Sequence, residues 1–231
     1  MDTLKIINII AMVLALAVSI IGHEIMHGLI AYKYGDDTAK RAGRLSINPI
    51  KHIDLVGTII VPALLFLSNA GFLFGWAKPV PVNMRIVLKN GGENGAIAVS
   101  LAGVTYNFIL ALFSAVLISI IGKPESLIST FFFLFLAHSV LINVVLGVFN
   151  LWPIPPLDGA NALIYFAQKL KIKSIVDFYH KIFPYGMIIL IIIIATPLSA
   201  ILFIPVYYIL ILLSFVSGID MISLINTIER I

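Results

Sequence analysis

The chain has 231 residues, of which 61% are hydrophobic, 11% charged and none cysteine, with a mean hydropathy of +1.10; soluble domains carry roughly 25% charged residues. That balance places it among membrane proteins, because a bilayer accepts so much apolar surface once helices pair their own backbone groups. It argues against disorder, nucleic-acid binding and a secreted disulfide scaffold, and the missing cysteines remove any disulfide, thiol nucleophile or thiolate metal site.

The first apolar run, Leu4 to Ile21, continues through HEIMHGLIAY to about Tyr32, long enough to cross a bilayer. Its basic flank is the single Lys5, no small-residue cleavage site follows, and charged residues lie inside the same helix, so it reads as a retained span and not a signal peptide. Next comes Leu55 to Phe74, interrupted by Gly57, Pro62, Ser68, Asn69 and Gly71. Lys33, Lys40, Arg41, Arg44 and Lys51 precede it and Lys78, Arg85 and Lys89 follow it. The positive-inside rule puts both flanks in the cytosol, so this stretch is expected to enter the membrane and return. Irregular backbone at that depth needs a cavity or protein cover, and a β-hairpin over 71–83 is expected here. Four further crossings follow, Gly95 to Ile121, Leu127 to Leu151, Phe183 to Pro197 and Ala200 to Ser217. With this parity thirteen of the fifteen basic residues, Arg230 included, are cytosolic and only Lys5 and Lys123 lie outside. The N-terminus is then outside and the C-terminus inside a plasma or inner membrane.

His23, Glu24 and His27 form HEIMH on the first span. At 100° per residue the two histidines share a face one turn apart and can grip one metal ion, with a carboxylate beside them. Imidazole and carboxylate suit zinc, and a catalytic zinc keeps three protein ligands and an open position for water. The bland alternative is a snorkelling interfacial patch, although ionisable residues inside a membrane are functional by default. His27 lies about five residues before Tyr32, which puts the site roughly 8 to 14 Å below the cytosolic surface. A dication with two neutral imidazoles, one Asp and one Glu sums to zero formal charge, which removes most of the cost of burying the acids.

The third ligand is expected to be Asp158 in NLWPIPPLDG. Pro153, Pro155 and Pro156 stop the third crossing there, so the chain extends and aims Asp158 sideways. Capping a helix that begins near Gly159 is its other reading, compatible with the first. His52 and His180 fall in basic segments and are expected in solvent, and His138 is a mid-span residue suited to hydrogen bonding within the bundle. If the metal-bound water attacks a carbonyl, the oxyanion needs donors besides zinc, and Asn107, Asn143 and Asn150 on neighbouring spans are candidates. Ordinary interhelical bonding is their alternative. In AKPVPV, Pro79 and Pro81 remove donors from one strand edge while Val80 and Val82 keep them on the other. That edge either templates an unwound substrate strand or is merely protected from stray pairing.

HEIMH, GRLSINPIKHIDLVGT, FGWAKPVPVN, LAGVTYNF and NLWPIPPLDG together resemble the site-2 protease family of intramembrane zinc metalloproteases, in its compact branch without PDZ or CBS domains. The likeness spans roughly residues 20 to 165, and Val104 departs from it where family members often carry Pro. It implies one Zn2+ per chain on His23, His27 and Asp158, Glu24 as acid/base, and as substrate a transmembrane segment already shortened by another protease. The expected architecture is an all-α multi-pass membrane protein, one domain over 1–231 with its core at 4–165 and a C-terminal helical pair at 183–217. It has about five transmembrane helices, a re-entrant segment, and the zinc site between helices near the cytosolic side. A transporter or metal-handling protein is the rival reading, but gives Glu24 no duty. A di-iron enzyme needs more histidines at ligand spacing than these five provide.

Overall fold

The computed structural model describes residues 3–69 and 74–228. Among them are α1 (Thr3–Lys33), α2 (Thr38–Arg41), α3 (Val61–Leu67), α4 (Met84–Ile121), α5 (Leu127–Leu151), α6 (Asp158–Lys169), α7 (Lys173–Ile182), α8 (Gly186–Ile194), α9 (Leu198–Ser217) and α10 (Met221–Ile228). Among the described residues, five helical stretches are long and apolar enough to cross a membrane: α1, α4, α5, Lys173–Ile194 and α9. The 31 residues of α1 reach about 46 Å, well beyond the ~30 Å hydrocarbon thickness. In α4 the backbone leaves helical geometry at Gly92, with φ 58° and ψ −158°, a conformation that favours glycine. The kink separates a first segment that carries Arg85 and Lys89 from the apolar run expected from Gly95.

The fourth crossing departs from expectation. Pro184 opens a 3-10 turn, Phe183–Tyr185, that separates the lysine-bearing α7 from the nine-residue α8. Alone, α8 reaches only about 14 Å, so a crossing here also needs α7. Helix α10 was not foreseen. The stretch from Leu55 is a π-helical turn, Leu55–Ile60, running into α3. Asp54 caps it by accepting the N–H groups of Val56 and Gly57. Its thirteen residues, Leu55–Leu67, cover about 20 Å, too little to span.

The expected β-hairpin is corrected: no strand occurs among the described residues, and 74–83 is an extended segment without a ladder. Residues 71–73 of that expectation, and Arg230, lie outside the described residues. The reason is visible in the bonds. Trp76 N–H donates to Gly57 O at 3.1 Å and Lys78 N–H to His52 O at 2.9 Å, while Pro79 and Pro81 have no N–H to give on the other edge.

The chain packs as two compact units. One takes the chain up to Ser19, Val104–Trp152 and the chain from Leu198; the other takes Ile20–Gly103 and Pro153–Pro197. The first is a helical bundle whose core joins Ala11, Ala115, Ile118, Val140, Val144, Leu210 and Met221. The second has two smaller cores, Ala31 with Val87 and Val99, and Ala160 with Ile164 and Tyr179. The histidine and aspartate candidates all belong to this second unit.

Candidate metal centre

On α1 the rings of His23 and His27 stand one turn apart, centroids 4.8 Å from each other and nearly perpendicular. His27 Nδ1 lies 2.7 Å from the carbonyl oxygen of Val99 on α4. A carbonyl only accepts, so Nδ1 carries the proton and the Nε2 of a neutral ring presents its lone pair. That lone pair faces His23 Nε2 at 3.2 Å. Asp158 Oδ2 completes the triangle, 3.2 Å from His23 Nε2 and 3.3 Å from His27 Nε2.

Asp158 Oδ2 is buried and accepts no hydrogen bond of acceptable geometry from either ring. A buried carboxylate oxygen facing two ring nitrogens in this way is costly without a cation to hold them together. Zinc bonds of ~2.0–2.1 Å in a tetrahedron give ligand separations of about 3.3–3.4 Å, so the observed spacing fits that ion. These side chains are the one group of three metal-ligating residues among the described residues. His23, 8% exposed, sits against Gly103 of α4. A methyl group at 103 would lie 2.5 Å from the ring's Cε1 and Nε2. Neither Gly103 nor the Val99 carbonyl was foreseen. The first had a weak signal as a small residue in LAGVTYNF, and the second had none, being backbone.

Asp158 is the first residue of α6, and the cap position before it is Leu157, which makes no side-chain cap bond. The helix-capping reading of Asp158 is therefore corrected: its carboxylate turns to the histidines. Position one of a helix still favours a carboxylate through the backbone N–H dipoles. Glu24 Oε2 accepts the backbone N–H of Val80 at 2.8 Å.

Other expectations fall differently. Val80 is not an open donor, because Glu24 takes its N–H, and Val82 packs its side chain against Ala31, Val87 and Val99. Asn107 and Asn143, both fully buried, belong to the other unit. Asn107 Nδ2 donates to Asn143 Oδ1 at 2.7 Å and to Ser19 O at 3.4 Å, and Asn143 Nδ2 donates to Ser19 Oγ and Ser139 O. Those bonds engage both amide protons of each side chain, which is the interhelical alternative. Asn150 donates to Leu146 O within its own helix. His138 bonds Asn8 Oδ1 at 2.7 Å, as a bundle residue should, and His180 is exposed. His52, expected in solvent, is only 3% exposed and bonds Ser46 O through Nε2. The turn Pro49–His52 folds it inward because Asn48 caps that turn by accepting the N–H of Ile50.

The sequence profile of peptidase family M50 matches residues 118–194, which include Asp158. The Bacillus subtilis protein named "Putative zinc metalloprotease YwhC" is 38% identical over 193 residues, 82% of each chain. "Putative zinc metalloprotease MJ0611" of Methanocaldococcus jannaschii is 32% identical over 161 residues, 69% of this chain and 72% of its own. "Putative zinc metalloprotease Rip2" of Mycolicibacterium smegmatis is 29% identical over 142 residues, 61% of this chain and 51% of its own. No solved structure matches the chain.

Proposed function

This chain belongs to peptidase family M50, the site-2 protease family of zinc metalloproteases, and from that premise we propose that it is an intramembrane endopeptidase hydrolysing a peptide bond within or near a transmembrane segment of another membrane protein. The observation that carries the reading is the convergence of His23 Nε2, His27 Nε2 and Asp158 Oδ2 on one point, with the Glu24 carboxylate next in sequence to His23. His23, His27 and Asp158 would hold one zinc ion. Zinc bound there supplies Lewis acidity and a water whose proton leaves near neutral pH.

Glu24 receives the proton and passes it to the departing amine, as a general base and then an acid. Its Oε2 is fixed by Val80 N–H. Val99 O fixes the tautomer of His27, so that Nε2 stays a donor of electrons. The substrate is a membrane protein whose helix opens locally, because an intact helix keeps its carbonyls in its own ladder. Neither nucleic acid nor a second metal is part of this reading. The site lies near the cytosolic side, since α1 ends at Lys33, six residues after His27, and the basic segment around α2 prefers the cytosol. The N-terminus is then outside, and Leu55–Leu67 is re-entrant.

Glu24→Gln tests the reading. It removes the base and keeps the three ligands, so purified protein should retain one zinc per chain and lose all cleavage of a transmembrane peptide. Membranes from cells carrying it should accumulate uncut substrate relative to wild type, and full activity of the variant would refute the assignment.

A further inference from the structure

The motif residues 44–58 and 76–83 are left without a role by the metal centre, and one of them, Val80, contacts Glu24. Extended segment 76–80 is held at two points by its neighbours in the same unit. Trp76 gives its N–H to Gly57 O and takes the Thr58 hydroxyl on its carbonyl at 2.9 Å. Lys78 gives its N–H to His52 O and takes Arg44 Nη2 on its carbonyl at 2.7 Å. Both residues are thus bonded through N–H and C=O, and Arg44 is 9% exposed. Two residues further on in an extended chain, the N–H of Val80 points the same way, and there it meets Glu24 Oε2.

The α1 surface is shaped to receive it. Gly28 stands one turn after Glu24 on the same face, and a methyl group at 28 would lie 2.9 Å from Val80 Cγ1. Val80 can therefore lie close against the helix, and it is 7% exposed. Beyond it, Asn83 N–H donates to Asp36 Oδ2 at 2.6 Å, a third anchor.

We infer that the Val80 main-chain N–H, seated by Gly28 and held in line through Lys78 by Arg44 and His52 O, is the positioning group for the Glu24 carboxylate. The inference rests on the protease reading and assigns to this edge the alignment of the base, not the pairing of a substrate strand. A fixed carboxylate matters because proton transfer requires hydrogen-bond reach in a narrow geometry. The hydrogen bond from a neutral donor to a charged acceptor is of the strong class.

The experiment replaces Val80 in the full-length protein by its α-hydroxy acid, which exchanges N–H for an ester oxygen and keeps the side chain. Zinc content, kcat and KM for a transmembrane peptide in proteoliposomes are then measured, with Arg44→Met as a second variant acting on Lys78. The expected result is a fall of about ten- to a hundredfold in kcat, with KM within about twofold and one zinc per chain; Arg44→Met should shift kcat in the same direction. Independently of activity, amide exchange at Val80 should speed up in Glu24→Ala while that of Lys78 stays slow. Unchanged kcat in the ester variant, a rise in KM alone, loss of zinc, or unaltered exchange at Val80 each overturns the inference. Because Glu24→Gln tests the protease reading itself, an inactive Glu24→Gln beside a fully active ester variant removes only the positioning role.

Discussion

His23 and His27 were legible as a pair because helical periodicity alone puts i and i+4 on one face, but what holds each ring is supplied by α4. Val99 offers a carbonyl and Gly103 offers space, and neither carries a side-chain signal of ligand chemistry. A Gly103→Ala substitution should therefore act on the metal and not on the fold of the helix, since alanine is a better helix former than glycine. The added methyl, 2.5 Å from the His23 ring, forces that ring to rotate away from Asp158. We expect zinc affinity to fall about ten- to a hundredfold, the usual effect of disturbing the support of a ligand, read by competition with a chromophoric chelator. Unchanged affinity would mean that the ring has room elsewhere. Asp158 was legible because three prolines excluded a continuing helix, and only the structure showed that α6 begins on Asp158 itself.

Among the elements, the extended segment before α4 diverged most from expectation. Alternating valines suggested a strand, and they are placed as a strand would place them, but the N–H groups of Trp76, Lys78 and Val80 bond to a π-helical turn, a 3-10 turn and a glutamate side chain. Val80 and Glu24 are 56 residues apart, and no local pattern reports which amide meets which carboxylate. The same holds for His52, whose basic neighbourhood suggested solvent while its turn folds it inward. The far end of the segment carries a pH dependence. Burial pushes the Asp36 carboxyl up, but the hydroxyl and N–H of Thr38 and the N–H of Asn83 outweigh it and hold the group below its usual 3.8. A carboxyl depressed in the folded state stabilises above its unfolded pKa, and that contribution is lost as pH falls through the lower folded value. Amide exchange at Asn83 should therefore show a falling opening free energy between pH 5 and pH 3, and Asp36→Asn should flatten that dependence. A wild-type profile already flat over the interval would contradict the argument.

For the whole molecule, hydropathy located five candidate crossings, and the placement of lysine and arginine proposes an orientation for them, because these residues are costly to move across a bilayer. What hydropathy could not show was the break at Pro184, since Phe183–Pro197 reads as one apolar run whether or not its helix is continuous. The orientation is directly testable in a chain with no cysteine of its own. Lys171→Cys should react with a membrane-impermeant maleimide only after the cytosolic face is opened, and Lys123→Cys should react from outside in intact cells; the reverse pattern would invert the topology. Of the two compact units, one contains the Ser19–Asn107–Asn143 bonds, and the other carries His23, His27, Glu24 and Asp158. Everything proposed about catalysis depends on one ion held by residues from α1 and α6. The most direct measurement is the metal content of purified full-length protein, wild type against Asp158→Ala, with folding followed by circular dichroism. One zinc per wild-type chain is expected, and its loss from the variant with the helical content kept; a folded Asp158→Ala protein still holding one zinc per chain would rule out Asp158 as a ligand.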